Sequence, residues 1–203
     1  MKKRQQIIDT AISLFLSKGY EAVTVSEICK TCDIAYGTFF NHFKTKGNLL
    51  WEYVFTNLTK DQSFLEAIYE TTAINKLMAL IVPVSEVPTR IGAPLLLQFL
   101  TLRIQNKECW DRYEELFKSR IQTYSSLIAQ AQKDGDILNM GDPEEILRAL
   151  RDLMLATQIN WAVDPSFDLE KRFAARVETL LEIRPELCRY SGKRKEERSG
   201  KDE

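Results

Sequence analysis

Residues 24–46, TVSEICKTCDIAYGTFFNHFKTK, carry the local signals that decide the fold. Thr24 followed three residues later by Glu27 is a capping box that opens a short helix. Asp33 then stands where the chain must turn, and aspartate is among the residues that tolerate a left-handed conformation. A second short helix is predicted from about Ala35 to Phe40, and Thr45 caps a longer one beginning near Lys46. Two short helices joined by a tight turn form a helix-turn-helix, a motif that places its second helix in a DNA major groove.

Upstream, Ile7, Ile8, Ala11, Ile12, Phe15 and Leu16 recur at helical spacing and predict an amphipathic helix that ends at Lys18-Gly19. Three helices therefore fill the first 46 residues. Downstream the pattern stays helical, with few β-branched alternations. Pro83, Pro88 and Pro94 break residues 74–105 into shorter pieces. A helix is predicted from about Trp110 to Lys133, closed by Gly135. Asp142-Pro143-Glu144-Glu145 opens another, which Asp164-Pro165 stops, and a last helix spans about Asp168 to Ile183. The charged tail, 191–203, is expected to be disordered. The predicted fold class is all-α, with a three-helix DNA-binding domain at 1–46 and a larger helical effector-binding and dimerisation domain at 47–190.

Composition excludes several classes. The 203 residues are 44% hydrophobic and 28% charged, ordinary for a globular protein. No uninterrupted apolar run suggests a membrane span or a signal peptide, and the cysteines are too unevenly spaced for a disulfide framework, so a cytoplasmic protein is expected. Net charge is −1, yet residues 1–50 hold Lys2, Lys3, Arg4, Lys18, Lys30, Lys44 and Lys46 against Asp9, Glu21, Glu27 and Asp33. That basic module on an acidic body fits a local phosphate footprint.

The N-terminal segment resembles the TetR (tetracycline-repressor-like) family of transcriptional regulators. The likeness rests on residues 7–15 (IIDTAISLF), 18–25 (KGYEAVTV) and 37–46 (GTFFNHFKTK), in that order and spacing. The resemblance implies that Thr24, Ala35, Tyr36, Gly37, Thr38, Phe40, Asn41, His42 and Lys46 lie at the DNA face. Thr24 would hold phosphate at a helix N-terminus, Tyr36, Thr38 and Asn41 would meet bases or phosphates, and Gly37 would allow close approach. The segment departs from the family pattern at Ala35, where serine is common, at Phe40, where tyrosine is usual, and at Gly47, where an acid is frequent.

The remaining motifs weigh less. Cys29-x-x-Cys32 lacks a second close ligand pair for zinc and reads as packing, with a thiol sensor as the alternative. His42 is the single histidine and has no nucleophile or base pattern beside it, so no catalysis, cofactor or metal is expected. Phe39 and Phe43 should be core. A partly apolar effector pocket is expected among Phe99, Arg103, Trp110, Tyr113, Phe117, Tyr124, Met154, Gln158 and Trp161. The helices at 146–162 and 168–183 are apolar on more than one side, so either they sit at the centre of the monomer or they also pack against a second chain. The second reading is favoured, because two-fold DNA readers need a dimer, and it predicts a homodimer through Leu150, Phe173, Val177, Leu180 and Leu181. The function expected is a ligand-responsive regulator, most simply a repressor, binding a palindromic double-stranded operator and an unknown small molecule. The alternatives are a redox regulator using Cys29 and Cys32, or a helical binding protein or enzyme without a DNA role.

Overall fold

In the computed structural model the predicted stripe on α1 (Lys2–Lys18) is buried at Ile7, Ile8, Ala11, Ile12 and Phe15. Leu16 departs from it and faces solvent, one helical step beyond the stripe's edge. The structure describes residues 2–59, 67 and 69–188, and the predicted disordered tail, 191–203, lies outside them. α2 (Val25–Thr31) is capped by Thr24, whose Oγ1 accepts the Glu27 N–H at 3.2 Å. Asp33 takes the expected left-handed conformation at φ 51°, and α3 (Tyr36–His42) follows. In α4 (Lys46–Thr59) the Asn48 N–H meets Thr45 Oγ1 at 3.1 Å, confirming the cap.

The proline-rich stretch is divided as its chemistry requires. α5 (Ala73–Ile81) passes into a 3₁₀ turn (Val82–Ser85) that contains Pro83. α6 (Glu86–Gln105) is broken at Gly92, where φ 78° and ψ 163° leave the helical region, and Pro94 sits in the first turn after the break. Pro88 breaks nothing, because it occupies the first turn of α6, where backbone donors have no intrahelical acceptor. Within 73–105 an 18-residue stretch is apolar enough to pass for a membrane span (mean hydropathy 1.3), but the turn and Gly92 interrupt the range and much of the stretch is buried in the protein. α7 (Lys107–Lys133) starts earlier than predicted because Asn106 caps it, its Oδ1 accepting the Glu108 N–H at 2.9 Å. α8 (Pro143–Val163) opens at Asp142, whose Oδ1 accepts the N–H groups of Glu144 and Glu145, and α9 (Leu169–Leu181) opens at Asp168.

The described residues fall into two compact units, one drawn from the ranges 1–61 and 87–114, the other from 62–86 and 115–203. Compactness thus follows a different line from the predicted 46/47 boundary. The reason is that Leu49, Leu50 and Val54 of α4 are buried in the unit that holds α1–α3. In that unit Trp51 stacks on Phe99, with ring centroids 5.1 Å apart and an interplanar angle of 13°. In the other unit α8 packs along α9 over a core that includes Ile74, Leu77, Ile128, Leu147 and Ala174.

Four residues expected at a dimer interface, Leu150, Phe173, Val177 and Leu181, lie in that same core, with Leu180 half-buried at its margin. A side chain already buried in its own chain has no area left to offer a second copy. The apolar residues that α8 does leave outward are Ala149, Ala156, Ile159 and Val163.

Candidate nucleic-acid interface

α3 is held from behind by aromatic side chains. Phe39 and Phe43 are buried as predicted, their ring centroids 5.8 Å apart. The preceding turn is fixed by the Ile34 N–H donating to the Cys29 carbonyl at 3.0 Å. With that side spent on the core, Ala35, Tyr36, Gly37, Phe40 and Asn41 are exposed and Thr38 and His42 half-buried. Tyr36 and Phe40, 53% and 48% exposed, lie with their rings 5.3 Å apart. Aromatic surface of this kind on a seven-residue helix favours a partner that covers it. Ala35 is the N-cap residue of α3 and supplies no side-chain hydrogen bond, as expected where a hydroxyl has been lost.

Around this helix the remaining predicted contacts divide. Thr24 is exposed at the start of α2 and also serves as its cap. Glu27, its capping-box partner, turns its carboxylate to Lys18. Lys46 points inward. Its ammonium donates to the carbonyls of Tyr20 at 2.8 Å, Val23 at 3.2 Å and Glu21 at 3.4 Å, and lies 4.3 Å from the Tyr20 ring centroid. Carbonyls therefore occupy the charge that was expected to meet phosphate, and Lys46 fastens the α1–α2 turn. Lys44, counted in the basic module but not among the expected DNA-face residues, is exposed just after α3. Its charge beside the recognition helix was the signal available. Gly47 also acquires a reason: a Cβ there would come within 2.9 Å of Leu102 Cδ2 and 3.3 Å of Tyr20 Oη. A larger residue at this position would have to push the Leu102 side chain aside.

Cys29 and Cys32 are both buried free thiols. Burial pushes the Cys29 thiol above its ordinary value, with Cys32 adding to the rise. That disfavours the thiolate a sensor needs, and no metal-ligating cluster occurs among the described residues.

The predicted effector residues separate between the units. Phe99, Arg103, Trp110 and Tyr113 belong to the first, where the buried Arg103 guanidinium lies 3.5 Å from the Tyr113 ring centroid and 5.2 Å from that of Trp110. Phe117, Tyr124, Met154, Gln158 and Trp161 belong to the second. There Tyr124 and Met154 are core, Phe117 packs beside them, and Gln158 is buried. Trp161 is structural, its indole N–H donating to the Phe167 carbonyl at 3.0 Å across the α8–α9 turn.

A cavity of about 190 Å³ in the first unit and one of about 310 Å³ in the second are lined by other residues. The first lies beside the recognition helix, among Arg4, His42, Lys44 and Arg112. The second joins apolar Ile74, Met78 and Val82 to the carboxylates of Glu86, Glu170 and Glu178.

Comparison with known proteins agrees with this geometry. The chain is similar to the HTH-type transcriptional regulator YerO of Bacillus subtilis, 47% identical over 49 residues, which is 24% of this chain and 17% of that protein. It is 24% identical over 197 residues to the HTH-type transcriptional regulator AcrR of Shigella flexneri, covering 89% of this chain and 88% of AcrR. Its fold is shared by FadR of Thermus thermophilus, a TetR-family transcriptional repressor solved in complex with lauroyl-CoA. The TM-score is 0.64 at 23% identity, over 88% of this chain and 93% of that one. Residues 7–53, about the first quarter of the chain, match the family of bacterial regulatory proteins described as the tetR family.

Proposed function

We propose that this chain is a ligand-responsive, DNA-binding transcriptional repressor that acts as a homodimer on a palindromic operator. The observation that carries the reading is the outward face of α3, where Tyr36, Gly37, Phe40 and Asn41 stand exposed beside Thr38 and His42 on a helix anchored by Phe39 and Phe43. In this reading residues 1–46 meet DNA, and residues 47–190 bind the effector and the second copy. Thr24, with the amides behind it, and Lys44 approach phosphate, while Lys46 keeps the turn that aims them. The second copy packs on the outward face of α8, at Ala149, Ala156, Ile159 and Val163. Two recognition helices then enter major grooves about 34 Å apart. An effector preferring a conformation unable to span that distance releases the DNA, by an amount limited to its differential affinity.

The lauroyl-CoA complex of the FadR relative supports acyl-CoA thioesters as a first effector class to try. The redox alternative is not favoured, because Cys29 and Cys32 are buried. The test is a mobility-shift titration with a palindrome from DNA upstream of the protein's own gene, at two salt concentrations. Saturable, salt-sensitive binding by a dimer, relieved by one member of an acyl-CoA panel, is expected. Binding with no preference for one sequence over another overturns the DNA reading.

A further inference from the structure

The cavity beside the recognition helix has a charge imbalance of its own. Its walls come from α1 (Arg4), the end of α3 and the loop after it (His42, Lys44), α4 (Glu52) and the start of α7 (Glu108, Arg112). Glu52 is spent on Arg4, with which it forms an ion pair and a hydrogen bond. The Arg4 guanidinium also lies 4.7 Å from the Phe43 ring centroid. Arg112 is held over Phe55, 4.6 Å from its ring centroid, and no carboxylate among the described residues comes within ion-pair distance of it. That leaves Arg112 and the exposed Lys44 facing the single remaining carboxylate, Glu108. The guanidiniums feel each other: burial first, and then the charge of Arg112, lower the pKa of Arg4.

Arg112, a planar fork held on an aromatic face, and Lys44 beside it border an open space, with the already paired Arg4 on the far wall. That space lacks one component, a counter-anion with several acceptor oxygens. We propose that this cavity binds a small free oxyanion, inorganic phosphate or the phosphoryl group of a metabolite, between Arg4, Arg112, Lys44 and His42. The space of about 190 Å³ admits a tetrahedral anion with water or a small organic carrier. Bound there, the anion bridges α1, the end of the recognition helix, α4 and the start of α7. This site stands independently of the effector; it shares Lys44 with the DNA reading, and the DNA arm of the test separates the two.

A built-in reporter makes the test direct. Trp51 lines the same cavity, and its buried indole N–H has no hydrogen-bond partner, whereas that of Trp161 is bonded to Phe167. Full-length protein without DNA is titrated with inorganic phosphate, and separately with chloride at matched ionic strength, while the indole ¹H–¹⁵N resonances are followed. Trp51→Phe assigns the reporter peak. A saturable shift at Trp51 with phosphate alone is expected, with Trp161 unmoved. Its midpoint should rise by at least about tenfold in Arg112→Gln and in Lys44→Gln. If Arg112→Gln fails to fold, Lys44→Gln decides, because its side chain is exposed.

An equal response to chloride, no saturable shift, or an unchanged midpoint in the folded variants overturns the proposal. A final arm adds duplex DNA before phosphate. Loss of the Trp51 response there would assign the pocket to a DNA backbone phosphate and overturn the free-anion reading, whereas its persistence supports a free ligand.

Discussion

Gly37 lies on the exposed side of α3, and a Cβ built there meets nothing within 4 Å. The free protein therefore has room for alanine. Gly37→Ala should raise the melting temperature, since glycine inside a helix costs about 0.5–1 kcal/mol relative to alanine, or about 2–4 °C per kcal/mol in a chain of this size. The same methyl projects from the recognition face and should weaken operator binding. Calorimetry and a mobility shift on one preparation would show the two effects moving in opposite directions. An unchanged DNA affinity would mean that Gly37 does not approach the groove. Lys46 teaches the complementary lesson. The sequence places a cation near DNA, but only the folded turn shows that its protons are taken by the carbonyls of Tyr20, Glu21 and Val23.

Among the elements, α3 is the one left incomplete. Its cap position carries Ala35, so Ala35→Ser should stabilise the short helix by about 1 kcal/mol, read as slower amide exchange at Gly37 and Thr38. An unaltered exchange rate would show that Phe39 and Phe43 alone hold it. α9 has the opposite problem, a carboxylate too many at its start. Burial, then Asp168 and Glu86, push the Glu170 carboxyl above its ordinary value, with Lys171 opposing. The fold thus favours the protonated form. Its stabilising contribution is present below the unfolded-state pKa of about 4.3 and is lost as pH rises through the higher folded value. Glu170→Gln should therefore melt higher than the parent at pH 7, the gap closing toward pH 4. A gap that widens in acid would reverse the assigned sign.

These elements were largely legible in the sequence, because caps and breakers act locally. Thr24, Thr45, Asp142 and Asp33 each do what their chemistry predicts. Sites assembled from distant positions were not. Arg4, Lys44 and Arg112 gather around one cavity through packing that no spacing rule encodes. Trp161 and Arg103 looked like ligand contacts, yet one is bonded to Phe167 and the other held among aromatic rings.

At the scale of the whole molecule, the decisive separation is between apolar surface the chain buries itself and apolar surface it leaves out. Leu150, Phe173, Val177 and Leu181 belong to the former; Ile159 and Val163, 39% and 75% exposed, belong to the latter. Ile159→Asp should leave the monomer folded and shift sedimentation from dimer to monomer, with loss of operator binding because both half-sites need a reader. A variant that remains dimeric would move the interface elsewhere. Gly92 has a consequence of another kind. An added Cβ there would find its nearest neighbour, Pro94 Cδ, 3.9 Å away, so bulk is not what position 92 excludes. What it excludes is chirality: φ 78° with ψ 163° belongs to a region that L-residues scarcely enter and their mirror images occupy with ease. Of the ribosome's alphabet only the achiral residue suits that corner, and the course of α6 hangs on the one amino acid without a hand.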